Sequence, residues 1–151
     1  MLAQNKRGYA GIGVYHIKTE VNLGTLWRSA FSFDAQFIYT IGKRYKKQAS
    51  DVTKAWKHLP LFHYEAFDAF HKCIPRESLL IGVELVDKSE DIINYVHPER
   101  AVYLLGAEDS GLPDKILNKC HRIIQIPGRH CLNVATAGSI ILYDRLLKWK
   151  N

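Results

Sequence analysis

At 151 residues, with 47% hydrophobic and 24% charged side chains, the chain has the composition of one ordinary globular domain. Its apolar runs, SLLIGV and SIILY among them, are too short to span a bilayer, so no membrane partner is expected. Three cysteines, Cys73, Cys120 and Cys131, with no CxxC pair, exclude an obvious disulfide framework; a net charge of +6 and a pI near 9.2 favour an anionic partner. The opening MLAQNKRGYA is basic but lacks an apolar segment, so no secretory signal and a cytoplasmic location are expected.

GIGVYHI, residues 11–17, predicts the first strand, and NLGTLWRSA opens a helix over residues 23–33. Asn22 is placed as the cap of that helix, its side-chain oxygen taking a free N–H of the first turn. Leu23, Leu26, Trp27, Ala30 and Phe33 form the stripe to be buried, while Gly24 and Arg28, four apart, share another face. An arginine among small residues leaves room for a phosphate or a ribose; it also fits a plain surface arginine, and spacing does not choose.

QFIYTIG, residues 36–42, predicts a second strand. The stretch after it, KRYKKQASDVTKAWK, carries Lys43, Arg44, Lys46, Lys47, Lys54 and Lys57 against Asp51, with Tyr45 and Trp56 interleaved. Cations and aromatic faces together suit single-stranded RNA, and they equally suit a solvated loop. LFHYE, residues 61–65, is a weaker, edge-type strand, followed by a helix over residues 66–73 and a strand over residues 78–85.

AVYLLG, residues 101–106, is a strongly apolar strand that runs into LLGAEDSGLP. Gly106 removes a side chain where a ligand could meet backbone, and Gly111 permits a turn that a Cβ would obstruct. Glu108 sits between them. The loop lacks the Lys-Ser/Thr pair of a P-loop and is no dinucleotide fingerprint. A helix over residues 113–120 and a strand over residues 122–127 follow. In the closing IPGRHCLNVATAGS, five small residues from Ala135 to Ser139 begin a long helix over residues 132–149. Gly138 costs that helix about 1 kcal/mol relative to alanine, which close packing or a ligand must offset. Bulkier residues from Ile140 onward suit burial on the sheet and on a partner subunit.

Alternating strands and helices predict an α/β domain on a mostly parallel sheet flanked by helices, with ligands beyond the carboxyl ends of the strands. Two competing chemistries are weak. Cys131 and His130 are sequence neighbours whose side chains diverge, with no oxyanion-hole sequence beside them. His58, His63, His71 and Cys73 match no familiar zinc spacing, so no metal is expected.

Taken together, Asn22-x-Gly-x-x-x-Arg28, Gly106-x-Glu108-x-x-Gly111-Leu112 and Ile126-Pro-loop-Cys131-Leu132-Asn133-Val134 resemble, in order and spacing, the motifs of the SpoU/TrmH group of the SPOUT superfamily. Those proteins are RNA 2′-O-ribose methyltransferases. The resemblance covers essentially the whole chain, residues 1–151 as a single domain without a separate RNA-binding domain, and is closest to the minimal members. It implies a carboxyl-terminal deep trefoil knot, rare among folds, a homodimer, and S-adenosyl-L-methionine as methyl donor, with S-adenosyl-L-homocysteine as product and no metal. Matched residue by residue, Val83 and Glu84, Leu105 and Gly106, and Ile126 with Cys131, Leu132 and Asn133 would form the three cofactor loops. Arg28 would sit near the ribose, and Asn22, Glu108 and Asn133 would shape the site. A guanidinium is effectively always protonated, so Arg28 would position a phosphate and stabilise the developing alkoxide rather than act as a base. The substrate would be tRNA or rRNA, contacted by Lys43, Arg44, Lys46, Lys47 and Arg129. Cys131 departs from the pattern, standing where many relatives have serine and offering a weaker donor. The same fold could also serve a non-catalytic RNA-binding protein or a base-methylating enzyme.

Overall fold

The computed structural model describes residues 8–43 and 54–150. Among these residues seven strands form one sheet: β1 (Tyr9–Tyr15), β2 (Phe37–Ile41), β3 (Leu61–Tyr64), β4 (Leu79–Val83), β5 (Glu90–Asp91), β6 (Arg100–Leu105) and β7 (Arg122–Gln125). Among the described residues four α-helices accompany them: α1 (Glu20–Ser32), α2 (Phe67–Cys73), α3 (Asp114–Leu117) and α4 (Val134–Lys150). The strand order is β3-β2-β1-β6-β4-β7-β5, and every pairing is parallel.

Parallel pairing needs crossovers, and the crossovers cover both faces with helices. On one face Ile12, Val14 and Ile38 pack with Leu23, Leu26 and Ala30 of α1 and Ile141 and Leu142 of α4. On the other, Tyr39, Leu80 and Leu104 pack with Phe67 and Phe70 of α2 and Ile116 and Leu117 of α3. Strand interiors are accordingly apolar on consecutive positions. The weak candidate LFHYE is indeed an edge strand. The two-residue β5 was not expected; two acidic residues carry no strand periodicity.

Two expectations about helix ends are corrected. Asn22 is not the cap of α1: Thr19 is, its Oγ1 accepting from the Asn22 N–H at 3.3 Å, so the helix starts earlier than its apolar stripe. The last helix begins at Val134 rather than Leu132, because Asn133 Oδ1 accepts from Ala135 N at 2.9 Å and Thr136 N at 3.3 Å. Gly138 is spent on close packing, since a Cβ there would come within 2.4 Å of Leu26 Cδ1. Beside it Ser139 Oγ lies 2.6 Å from Ser29 Oγ, so α4 sits directly on α1.

The far end of α4 is fastened to the segment before β6. Arg145 donates to Pro98 O at 2.7 Å and Glu99 O at 2.9 Å, and Lys148 to Tyr95 O at 3.0 Å. His97 is buried between Tyr103 Oη, 2.6 Å from Nδ1, and Asp144 Oδ2, 2.7 Å from Nε2. Burial holds the His97 pKa below its usual value, only partly offset by the bond to Asp144. The unfolded chain therefore takes up a proton at a higher pH than the folded one. Stability should be full above the ordinary histidine range and fall as pH drops through about 6.5. Thermal unfolding should show this as a lower midpoint near pH 5.5 than near pH 7.5, a slope that His97→Gln flattens.

Candidate active site

The carboxyl ends of β4, β6 and β7 open into a cavity of about 410 Å³, within the range of small-molecule sites. Val83, Leu105, Gly106, Ile126, Cys131 and Leu132 all line it, as does Glu84. These come from three separate strand ends, so the three predicted cofactor loops do converge. Asn133, Asn22, Arg28 and Arg129 are not part of the wall. Sequence reasoning missed Asp109, Ser110, Asp114, Gln125 and Ala137, which also face the cavity; the available signals were position at or just after a strand end for Asp109, Ser110 and Gln125 and the first turn of the next helix for Asp114 and Ala137.

One loop gives the cavity its shape. After β6 the chain doubles back between Ala107 and Gly111, with Gly111 N–H donating to Ala107 O at 2.9 Å. Gly111 has φ +62°, a left-handed conformation favouring glycine. A Cβ on Gly106 would lie 2.4 Å from Gly111 C and 2.6 Å from Leu112 N. Gly106 is thus required by the loop's own backbone, where the sequence suggested only a ligand's approach.

Glu84 fixes that loop to the neighbouring strand. Its Oε2 accepts from Leu112 N at 2.8 Å, its Oε1 from Leu85 N at 3.0 Å, and its own N–H donates to Ile124 O at 3.0 Å. One residue therefore ties the ends of β4, β6 and β7 together. Its carboxylate does this work, which a resemblance of loop position alone did not reveal.

Beside the cavity, Asn22 joins the other two motifs. Its amide nitrogen donates to Glu108 Oε1, and its Oδ1 accepts from Asn133 Nδ2 at 3.0 Å. Asn133 in turn caps α4, so α1, the loop after β6 and α4 meet at one carboxamide. A second link runs from Lys18 to Asp109 and holds that carboxyl below its usual range. Asn22→Ala should release both partners at once. The one bond lost from the loop, at about 1 kcal/mol, predicts amide exchange over residues 106–112 faster by about fivefold; unchanged exchange would mean that Glu84 and Lys18 suffice to hold the loop.

Arg28 stands apart. It is exposed, six residues beyond Asn22 on α1, which at 3.6 residues per turn turns it about a third of the way around the helix. It shares that outward face with the exposed Val21, Thr25 and Ser32. Lys43 is exposed with its ammonium 3.4 Å from Lys18 O, and Arg129 is exposed beside the cavity residue His130. Arg44, Lys46 and Lys47 lie outside the described residues. Among the described residues no three His, Cys, Asp or Glu side chains are placed to hold a metal, and no helix is long and apolar enough to cross a membrane.

The SpoU rRNA Methylase family model matches residues 10–143, from β1 into α4. The chain belongs to that family. Among curated proteins it is 25% identical over 139 residues to the mouse tRNA (guanosine(18)-2′-O)-methyltransferase TARBP1, covering 85% of this chain but 9% of that one. The SpoU methyltransferase AviRb from Streptomyces viridochromogenes, in complex with AdoMet, superposes with a TM-score of 0.86 at 18% identity, over 97% of this chain and 60% of that chain. A structure addressing 2-OH methylation of C/U34 on tRNA superposes with a TM-score of 0.79 at 20% identity, over 95% of this chain and 97% of that one. These likenesses establish that the SpoU chain has the fold of those methyltransferases.

Proposed function

We propose that the chain is an S-adenosylmethionine-dependent methyltransferase acting on a ribose 2′-hydroxyl of tRNA or rRNA. The observation that carries this reading is the convergence of the second and third family motifs on one cavity, with Asn22 of the first motif hydrogen-bonded to Glu108 and Asn133 beside it. Family membership and the named activities of TARBP1 and the C/U34 enzyme structure support it.

The cavity fits the cofactor. Its wall is glycine backbone at Gly106 and Gly111 and apolar side chain at Val83, Leu105, Ile126 and Leu132, which suits a flat nucleobase. Glu84, Glu108, Asp109 and Asp114 are on the wall, and among the described residues no lysine or arginine is. In a chain of net charge +6 that lining disfavours a polyphosphate and favours a ligand with a positive centre. The sulfonium of S-adenosylmethionine is such a centre, and when bound it supplies an electrophilic methyl group. The backbone of residues 105–106 and 131–133 would hold the adenine, and the apolar residues would exclude water. Glu84 keeps the loop after β6 closed, while Asn22 and Glu108 orient groups at the mouth. The chain path through these loops is read as the family's trefoil knot.

Arg28 would hold a phosphate of the RNA and stabilise charge on the attacking oxygen. Because it faces outward across α1, that role requires α1 to be covered, by RNA or by a second copy. A homodimer is proposed on the same ground. Ile140, Tyr143 and Leu147 are exposed at helical spacing on α4, and Tyr143 packs against Phe33 at the end of α1, ring centroids 5.5 Å apart. Tyr143→Glu would place a charge in that apolar stripe and should shift sedimentation from dimer to monomer, with affinity lowered by on the order of a hundredfold.

Nucleoside mass spectrometry of RNA from cells lacking the gene tests the function. Loss of one 2′-O-methylated nucleoside is expected and would name the substrate. Loss of a base-methylated nucleoside instead, or no loss at all, would turn the reading to base methylation or to RNA binding without catalysis.

A further inference from the structure

Immediately after β1 the backbone turns left-handed: His16 has φ 54°, a region few residues with a Cβ adopt and one concentrated at functional sites. Among the described residues Asp34, Lys54 and Glu77 share it, but only His16 directly follows a strand, at the end of the sheet where the cavity opens.

The turn lays an aromatic ring on a firm support. His16 N–H donates to Ile41 O at 2.9 Å. The ring lies over Gly42, where a Cβ would come within 2.6 Å of His16 Nε2, and Gly42 itself has φ +95°. Its other neighbour is the half-buried Tyr15, ring centroids 4.2 Å apart at 40°. Held from below in this way, His16 remains exposed. Neither the family motifs nor the cavity uses this pair.

Its position bears on the substrate. β1 pairs directly with β6, Val14 against Leu105, and Leu105 lines the cavity. Neighbouring strands lie about 4.8 Å apart, so the ledge stands within about 10 Å of the cavity rim. Lys18, two residues on, pairs with Asp109 of that rim, and the Lys43 ammonium sits over Lys18 O. A strand of RNA whose ribose reaches Asn22 and Glu108 would pass over the Tyr15–His16 rings beside these cations. Unstacked bases of single-stranded RNA are held by stacking on tyrosine and histidine.

We propose that Tyr15 and His16 form a stacking site for an RNA base adjacent to the methylated nucleotide. The proposal rests on the RNA methyltransferase reading. Fluorescence anisotropy with a labelled oligoadenylate tests it, because stacking is tolerant of base identity. His16→Asn keeps a residue that accepts the left-handed backbone but removes the ring, and His16→Phe keeps the ring. Affinity should fall about tenfold for His16→Asn and stay within about twofold for His16→Phe. S-adenosylmethionine affinity should be unchanged for both, and melting temperature unchanged for His16→Asn but lower for His16→Phe, whose bulky side chain fits the left-handed backbone poorly. Tyr15→Leu, which leaves the turn alone, should weaken oligoadenylate in the same direction. Wild-type affinity in His16→Asn and Tyr15→Leu, equal loss in His16→Asn and His16→Phe, or no binding by the wild type would each overturn the stacking site. Failure of the methyltransferase reading would appear separately, as absence of S-adenosylmethionine binding by the wild type.

Discussion

Arg28→Ala should reduce methyl transfer by about 10²–10³-fold, the usual cost of removing a donor that stabilises a developing oxyanion. S-adenosylmethionine affinity should stay within about twofold, because Arg28 is not among the residues lining the cavity. It is exposed on the outward face of α1, whose buried contacts are made by Leu23, Leu26 and Ala30. Folding should therefore survive the substitution, and melting temperature is the control. Arg28→Lys should recover only part of the activity, since an ammonium cannot grip a phosphate in two places at once. Single-turnover rates on a tRNA pool, set beside calorimetry with the cofactor, separate the two effects. Equal loss of both would mean that Arg28 builds the cavity rather than serving the ribose.

Gly106→Ala is expected to act in the opposite sense, weakening cofactor binding first. Its Cβ would meet backbone at 2.4 Å on Gly111 and 2.6 Å on Leu112. Backbone cannot rotate away as a side chain can, so the loop after β6 must move. That movement breaks the Leu112 bond to Glu84 and displaces Glu108 from Asn22. Overpacking of this kind costs about 1–3 kcal/mol, so cofactor affinity should fall by about tenfold to a hundredfold. The same variant should melt earlier, since the loop is tied to β4. A variant that binds the cofactor normally would show that the loop tolerates a rearranged path.

Much of this was legible in the sequence. Apolar runs ended by glycine, proline or charge marked six of the seven strands, and periodicity marked the four helices. What failed was instructive. Thr19 and Asn22 are both good capping residues, and the apolar stripe beginning at Leu23 drew the boundary too late. β5 is two acidic residues whose partner, β7, lies more than thirty positions away. No local pattern announces such a pairing. Nor does any pattern give the insertion of β4 between β6 and β7, which is what gathers three loops around one cavity.

The candidate site shows the same division. Asn22, Glu108 and Asn133 could be named one by one from their motifs, but the carboxamide joining them spans separations of 86 and 111 residues. Glu84 was placed at the right strand end, while the use of its carboxylate depends on Leu112, far along the chain. His16 carried no sequence signal, because a left-handed backbone at a histidine is visible only in three dimensions.

The central claim is that this cavity holds S-adenosylmethionine, and calorimetric titration of the chain with that cofactor tests it most directly. Saturable binding at one site per chain, weakened about tenfold to a hundredfold in Gly106→Ala and kept in Arg28→Ala, is the predicted result. No heat of binding at millimolar cofactor, or binding indifferent to Gly106, would contradict it.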